Sequence, residues 1–185
     1  MSSPIHSPAT APRSIEVQLG AIEQLFNSMD PSPFHERDLD HDAEQFIVSW
    51  AQEFPGHAAL RLVVHLERAP EGVADPQALI AESVKHYFHY LAEMTRREFR
   101  VLMMEGRVAL AIGLAFLIVC ELAAQSLPAA HGTWSGMVRQ GLTIIGWVAM
   151  WRPLEIYLYR WWPVHRLERV YRNLSRMQVE VCQKK

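Results

Sequence analysis

The sequence predicts a membrane α-helical hairpin, two transmembrane helices joined to a small cytoplasmic α/β domain (βαβα) and a C-terminal basic amphipathic helix. Three observations carry that expectation. Residues 108–120, "VALAIGLAFLIVC", form a run without a single charge. A second apolar stretch, residues 140–160, lies between Arg139 and Arg160. Charge is also unevenly divided: residues 1–90 hold 13 Asp and Glu against 5 Lys and Arg, whereas residues 91–185 hold 7 against 13. The overall net charge of −2 conceals this division, which places the two halves in different electrostatic surroundings.

Residues 1–13, rich in Ser and Pro, have no apolar core, so they read as a disordered arm and not as a signal or transit peptide. The cytoplasmic α/β domain is assigned to residues 14–95, running into a long helix. In "SIEVQLG" (14–20), Ile15, Val17 and Leu19 alternate with Glu16 and Gln18, the pattern of a half-buried strand. A helical turn, "AIEQLF", follows, and Pro31 and Pro33 interrupt the chain after it. From about Asp40, the apolar positions Ala43, Phe46, Ile47, Trp50, Ala51 and Phe54 mark one face of a helix, which Pro55 and Gly56 stop. "LRLVVHL" (60–66) gives a second strand.

The next helix opens with Asp75 as N-cap and Pro76 at its first position. Ile80, Val84, Tyr87, Leu91 and Met94 recur along it at 4, 3, 4 and 3 residues, which suits either a cover for the sheet or a short coiled-coil seam, the sheet being favoured. Two strands make a poor sheet alone, so "MQVEV" (177–181) or a neighbouring subunit is expected to complete it.

Residues 96–107 read as a basic juxtamembrane helix, 108–127 as the first transmembrane helix, 128–139 as an outer loop and 140–160 as the second transmembrane helix. About 20 residues cross a bilayer core of about 30 Å. Arg96, Arg97, Arg100 and Arg107 precede the first span, and Arg160, Arg166, Arg169, Arg172 and Arg176 follow the second. The loop between the spans offers only Arg139. The excess of basic residues on one side puts both termini in the cytoplasm, beneath an inner membrane, with Trp161 and Trp162 at the interface. Residues 161–185 then form an interfacial basic helix and tail. There Leu167, Val170, Tyr171 and Leu174 share a face opposite Arg169, Arg172 and Arg176, as in a helix lying on anionic lipid.

Besides Arg160 at the very end of the second, three charges fall inside the spans. Arg152 and Glu155 stand three residues apart, on one helix face, with Pro153 between them to kink the helix and free the Ala149 carbonyl for Arg152. The pair either packs helices together, lines a polar path for an ion or proton, or sits at the interface. Glu121, near the outer end of the first span, is expected to approach Arg139 across the turn.

Catalytic signatures do not stand out. Neither a Ser/His/Asp or Cys/His arrangement nor a Gly-rich phosphate loop appears. Cys120 and Cys182 are the two cysteines, too few for a disulfide framework. His35, Glu36, Asp38, Asp40, His41, Asp42 and Glu44 crowd into "FHERDLDHDAE", but Ala43 and Ser49 stand where a calcium loop needs Gly and Glu, so the segment reads as an acidic helix start. His65, His86 and His89 are read as ordinary strand and helix residues and not as a metal site. The expectation is a protein without cofactor, metal or nucleic-acid partner. It is read as a non-enzymatic assembly, scaffold or regulatory subunit, working as a homo-oligomer or within a larger membrane complex. The alternative is a small oligomeric ion or proton channel using Glu121, Arg152 and Glu155.

Overall fold

A computed structural model describes residues 13–27, 29–31, 37–55, 58–68, 75–127 and 133–183. The chain is mostly helical, with a small sheet of three parallel strands and one long apolar helix. It divides into two compact units: residues 1–94 with 167–185, and residues 95–166.

In the first unit, β1 (Arg13–Leu19), β2 (Leu60–Leu66) and β3 (Gln178–Gln183) form the sheet in that order. The third strand is therefore supplied by the C-terminal segment of the same chain. Register aligns Ile15 with Leu62 and Leu62 with Val179, and likewise Val17 with Val64 and Val64 with Val181. Because side chains alternate along a strand, all these apolar residues fall on one face, where they join one core. The opposite face is polar: Glu16 lies 3.7 Å from His65, and Arg61 lies 3.3 Å from Glu180.

Helix α1 (His41–Glu53) starts at Asp40, whose side chain accepts from the Asp42 backbone N–H at 3.0 Å. The chain before it is tied down by backbone bonds from Asn27 to Asp38 at 2.8 Å and from Asp40 to Leu25 at 2.9 Å. Helix α2 (Pro76–Ser126) begins as expected, with the Ala78 N–H donating to Asp75 Oδ1 at 3.0 Å. Its first turns cover the sheet: Ile80, Val84 and Phe88 are fully buried in the core, with Tyr87 and Leu91 packed beside them. The residues read as a domain helix, a juxtamembrane helix and a first span are one continuous helix of 51 residues.

Helix α5 (Trp161–Leu174) corrects one expectation. Val170 and Leu174 lie in the core, and Tyr171 packs against it. The apolar face assigned to lipid is thus spent on the sheet. An amphipathic stripe looks the same in sequence whether protein or membrane covers it, and here β3, two residues beyond a short turn, draws the helix onto the domain.

The second unit contains the rest of α2, then α3 (Thr133–Ala149), α4 (Trp151–Glu155), a single π-helical turn (Ile156–Arg160) and the start of α5. The second apolar stretch is accordingly not one helix. α3 has 17 residues, short of the about 20 needed for a bilayer core. Pro153 explains the interruption: it has no N–H for the Ala149 carbonyl, and the chain tightens so that the Met150 N–H donates to the Trp147 carbonyl at 3.0 Å.

Candidate functional site

The charged pair is held by helical spacing alone. Arg152 Nη1 lies 3.3 Å from Glu155 Oε2, and their side chains keep 57% and 39% of their exposure. Neither points toward α2, because Gly146, Pro153 and Ile156 occupy that buried side. The Arg152 guanidinium therefore goes to Glu155, while the Ala149 carbonyl faces Gly113.

The packing between α2 and the returning leg rests on three glycines that the sequence reading did not single out. A Cβ added to Gly113 would stand 3.0 Å from the Ala149 oxygen and 3.3 Å from Met150 Sδ. At Gly106 it would meet Ile156 Cγ2 at 3.0 Å, and at Gly146 it would meet Leu117 Cδ1 at 3.0 Å and Cys120 Cβ at 3.2 Å. Positions 106, 113 and 120 of α2 thus meet 156, 149 and 146 in antiparallel order. Small residues at such spacing let helix backbones approach closely, the usual means of association where lipid removes the hydrophobic drive. The signal available in the sequence was the seven-residue interval between Gly106 and Gly113.

Large apolar side chains turn the other way. Val108, Ile112, Phe116, Val119 and Leu122 of α2 are exposed, as are Ile144, Ile145, Trp147, Val148, Trp151, Leu154 and Leu158 of the return leg. An 18-residue window of α2 reaches a mean hydropathy of 2.2 with only 17% of it buried. It is the one helix among the described residues long and apolar enough to cross a membrane.

Glu121 lies in an open groove with Leu117, Ile118, Leu122, Thr143 and Trp147. Its carboxylate accepts from Gln125 Nε2 at 3.2 Å. The expected ion pair with Arg139 is not formed: Arg139 is exposed, and Thr143 and Trp147 are the α3 residues that share the groove with Glu121.

Trp161 is half-buried and Trp162 exposed. The Trp161 indole N–H donates to the Tyr157 carbonyl at 2.7 Å, inside the π turn, whose backbone bonds reach one residue further than in an α-helix. Its ring lies 6.2 Å from that of His165, which also lies 5.5 Å from Phe99. Arg96, Arg97, Arg100, Arg107, Arg166, Arg169, Arg172 and Arg176 are all exposed. Arg172 is additionally paired with the buried carboxylate of Glu168.

In the acidic segment, His35 and Glu36 lie outside the described residues. Two of the described carboxylates hold the domain together. Asp40 caps α1, and Glu44 accepts from the Tyr87 hydroxyl at 2.8 Å and from the Tyr171 hydroxyl at 3.4 Å, joining α1, α2 and α5. Burial, then the Glu44 hydrogen bond and charge, hold the Tyr87 hydroxyl well above the usual phenol pKa. Burial, with Asp30 and Glu44 nearby, also raises the Asp38 carboxyl. His86 and His89 are exposed on α2, and no group of three or more metal-ligating side chains occurs among the described residues.

No family model, curated protein or solved structure matches this chain.

Proposed function

We propose that the chain is an integral inner-membrane protein whose α2–α4 hairpin crosses the bilayer twice, with both termini cytoplasmic. On this reading it is a non-enzymatic assembly, scaffold or regulatory subunit of a membrane complex that carries the α/β domain at the inner surface. One observation supports it above the rest: the hairpin turns large apolar side chains outward along both legs. Gly106, Gly113 and Gly146 let the legs close onto Ile156, Met150 and Leu117, while Ile112, Phe116, Trp147 and Trp151 face outward. Water would penalise that arrangement at about 25 cal/mol for each Å² of exposed apolar surface, whereas hydrocarbon does not. The arginines support the orientation, since all but Arg139 of those flanking the two apolar stretches stand on one side.

Fractionation tests the reading. The protein should stay in the membrane pellet through an alkaline carbonate wash and leave it only with detergent, and proteoliposomes containing it should hold ion and proton gradients. Release by carbonate contradicts the membrane assignment. Gradient collapse that changes with Glu155→Gln would replace the scaffold with the channel alternative.

A further inference from the structure

We infer that the groove at Glu121 is a binding site for one phospholipid with a primary ammonium head group, a zwitterion of the ethanolamine class. The inference rests on the membrane reading above and adds a ligand to it. The groove is open and has a volume of about 520 Å³, with Leu117, Ile118 and Leu122 of α2 and Trp147 of α3 as its apolar walls. Small-molecule sites commonly occupy about 300–1,000 Å³. Ile118, Leu122 and Trp147 are each more than half exposed, so on this reading a lipid reaches the groove sideways from the bilayer.

Charge says which lipid. The half-buried Glu121 carboxylate accepts from the neutral Gln125 amide at 3.2 Å, and no basic side chain pairs with it among the described residues. An ionised carboxylate accepts at about four lone-pair positions, so there is room for a charged donor. Ionisable residues at membrane depth are costly without a counterpart. Trp147 shares the groove, and an indole face attracts a cation held within about 6 Å of it. Carboxylate and indole together suit an ammonium group.

Arg139 supplies the opposite sign. It is the one basic residue of α3, it is exposed, and it precedes Thr143 by a single turn, about 6 Å along the helix. Residues four apart share a helix face, and the Thr143 hydroxyl donates to the Arg139 carbonyl at 3.3 Å. The two charges thus flank one groove without closing on each other. A ligand carrying both signs satisfies both, its ammonium on Glu121 and its phosphate on the Arg139 guanidinium. An anionic head group would set its charge against Glu121, and a free alkylammonium would leave Arg139 without an anion. A choline head group has no N–H to donate.

The topology orients this ligand. With two spans, α3 starts at the outer surface, so Arg139 lies toward the head groups. Leu117, one turn before Glu121 in α2, lies toward the bilayer centre, where the acyl chain runs.

The test reconstitutes full-length protein in vesicles of equal parts phosphatidylethanolamine, phosphatidylcholine and phosphatidylglycerol, with dodecylammonium added. The protein is re-extracted in mild detergent, and the lipid that stays with it is identified by mass spectrometry. Phosphatidylethanolamine should be retained about 10-fold over the other lipids, the discrimination expected from one charge-assisted contact. Glu121→Gln, close in shape, should abolish the preference over phosphatidylcholine. Arg139→Gln should lower retention of phosphatidylethanolamine, and Glu105→Gln, outside the groove, should change nothing.

Equal retention of the three lipids, or a preference that survives Glu121→Gln, would overturn the site. Retention of dodecylammonium in place of phospholipid would overturn the lipid as its occupant. Carbonate washing of the same vesicles separates the two claims. Protein that stays in the pellet without lipid preference overturns the groove alone, and protein released by the wash overturns the membrane reading beneath it.

Discussion

Gly113 offers the sharpest test of the hairpin seam. Replacement by valine places a Cβ 3.0 Å from the Ala149 carbonyl oxygen and 3.3 Å from Met150 Sδ, with two further methyl groups to house. The methionine can swing aside, but the carbonyl belongs to a helix backbone and moves only with it. The legs must therefore part. A gap of 0.5–1 Å forfeits about a quarter to a half of each dispersion contact across it. Overpacking of this kind costs about 1–3 kcal/mol, so a loss of about 2 kcal/mol is expected for Gly113→Val. Gly141→Val is the control, since nothing lies within 4 Å of its added Cβ, and it should be neutral or slightly stabilising. Unfolding in detergent, followed by tryptophan fluorescence, measures both. Equal stability of the two variants would refute the seam.

Further outcomes follow from the same structure. Gly146→Cys should form a disulfide with native Cys120 under mild oxidation, because its Cβ falls 3.2 Å from that of Cys120, a few tenths of an ångström short of the usual disulfide separation and reached by a slight parting of the legs; gel mobility with and without reductant reads it. Asp40→Ala should cost about 1 kcal/mol of domain stability by removing the cap of α1, measured by denaturant unfolding. Tyr87→Phe should cost about 1–2 kcal/mol, as a hydrogen bond to a carboxylate is lost. Tyr87 has a folded-state pKa raised by burial, so its contribution is complete below the unfolded phenol pKa and is lost as pH rises above it. Wild-type stability should accordingly fall above about pH 10, by up to about 1.4 kcal/mol per unit from this group, and Tyr87→Phe should lack that component.

Much of the sheet domain is legible in the residues, and what is hidden has a physical cause. β2 spans Leu60–Leu66, the alternating run seen in the sequence, because alternation with a buried face has one solution. The Asp75–Pro76 start of α2 and the Asp40 start of α1 are local hydrogen-bond chemistry, readable without the rest of the chain. β3 was one option among two, since a short strand acquires meaning only from the strand it joins. α5 was misassigned to lipid for a related reason: Val170 and Leu174 show a periodic apolar face, but the pattern does not name its partner.

The charged pair itself was visible from its i, i+3 spacing, and the structure joins it as that spacing requires. The Glu121–Arg139 staple was not formed, because reach along a turn says nothing of which way α3 is rotated. The glycine seam was passed over altogether. A glycine's role in close approach exists only once the facing helix is known, and Gly106, Gly113 and Gly146 find theirs across the hairpin. The break at Met150 followed from Pro153, whereas the π turn after it has no signature in the residues we can identify.

The sidedness of two thiols bears most directly on the whole account. In intact spheroplasts, a membrane-impermeant maleimide should label a cysteine at Gly136 and spare the exposed native Cys182 until the membrane is opened. Labelling of Cys182 from outside, or of both positions from the same side, would contradict a chain that crosses the bilayer and returns.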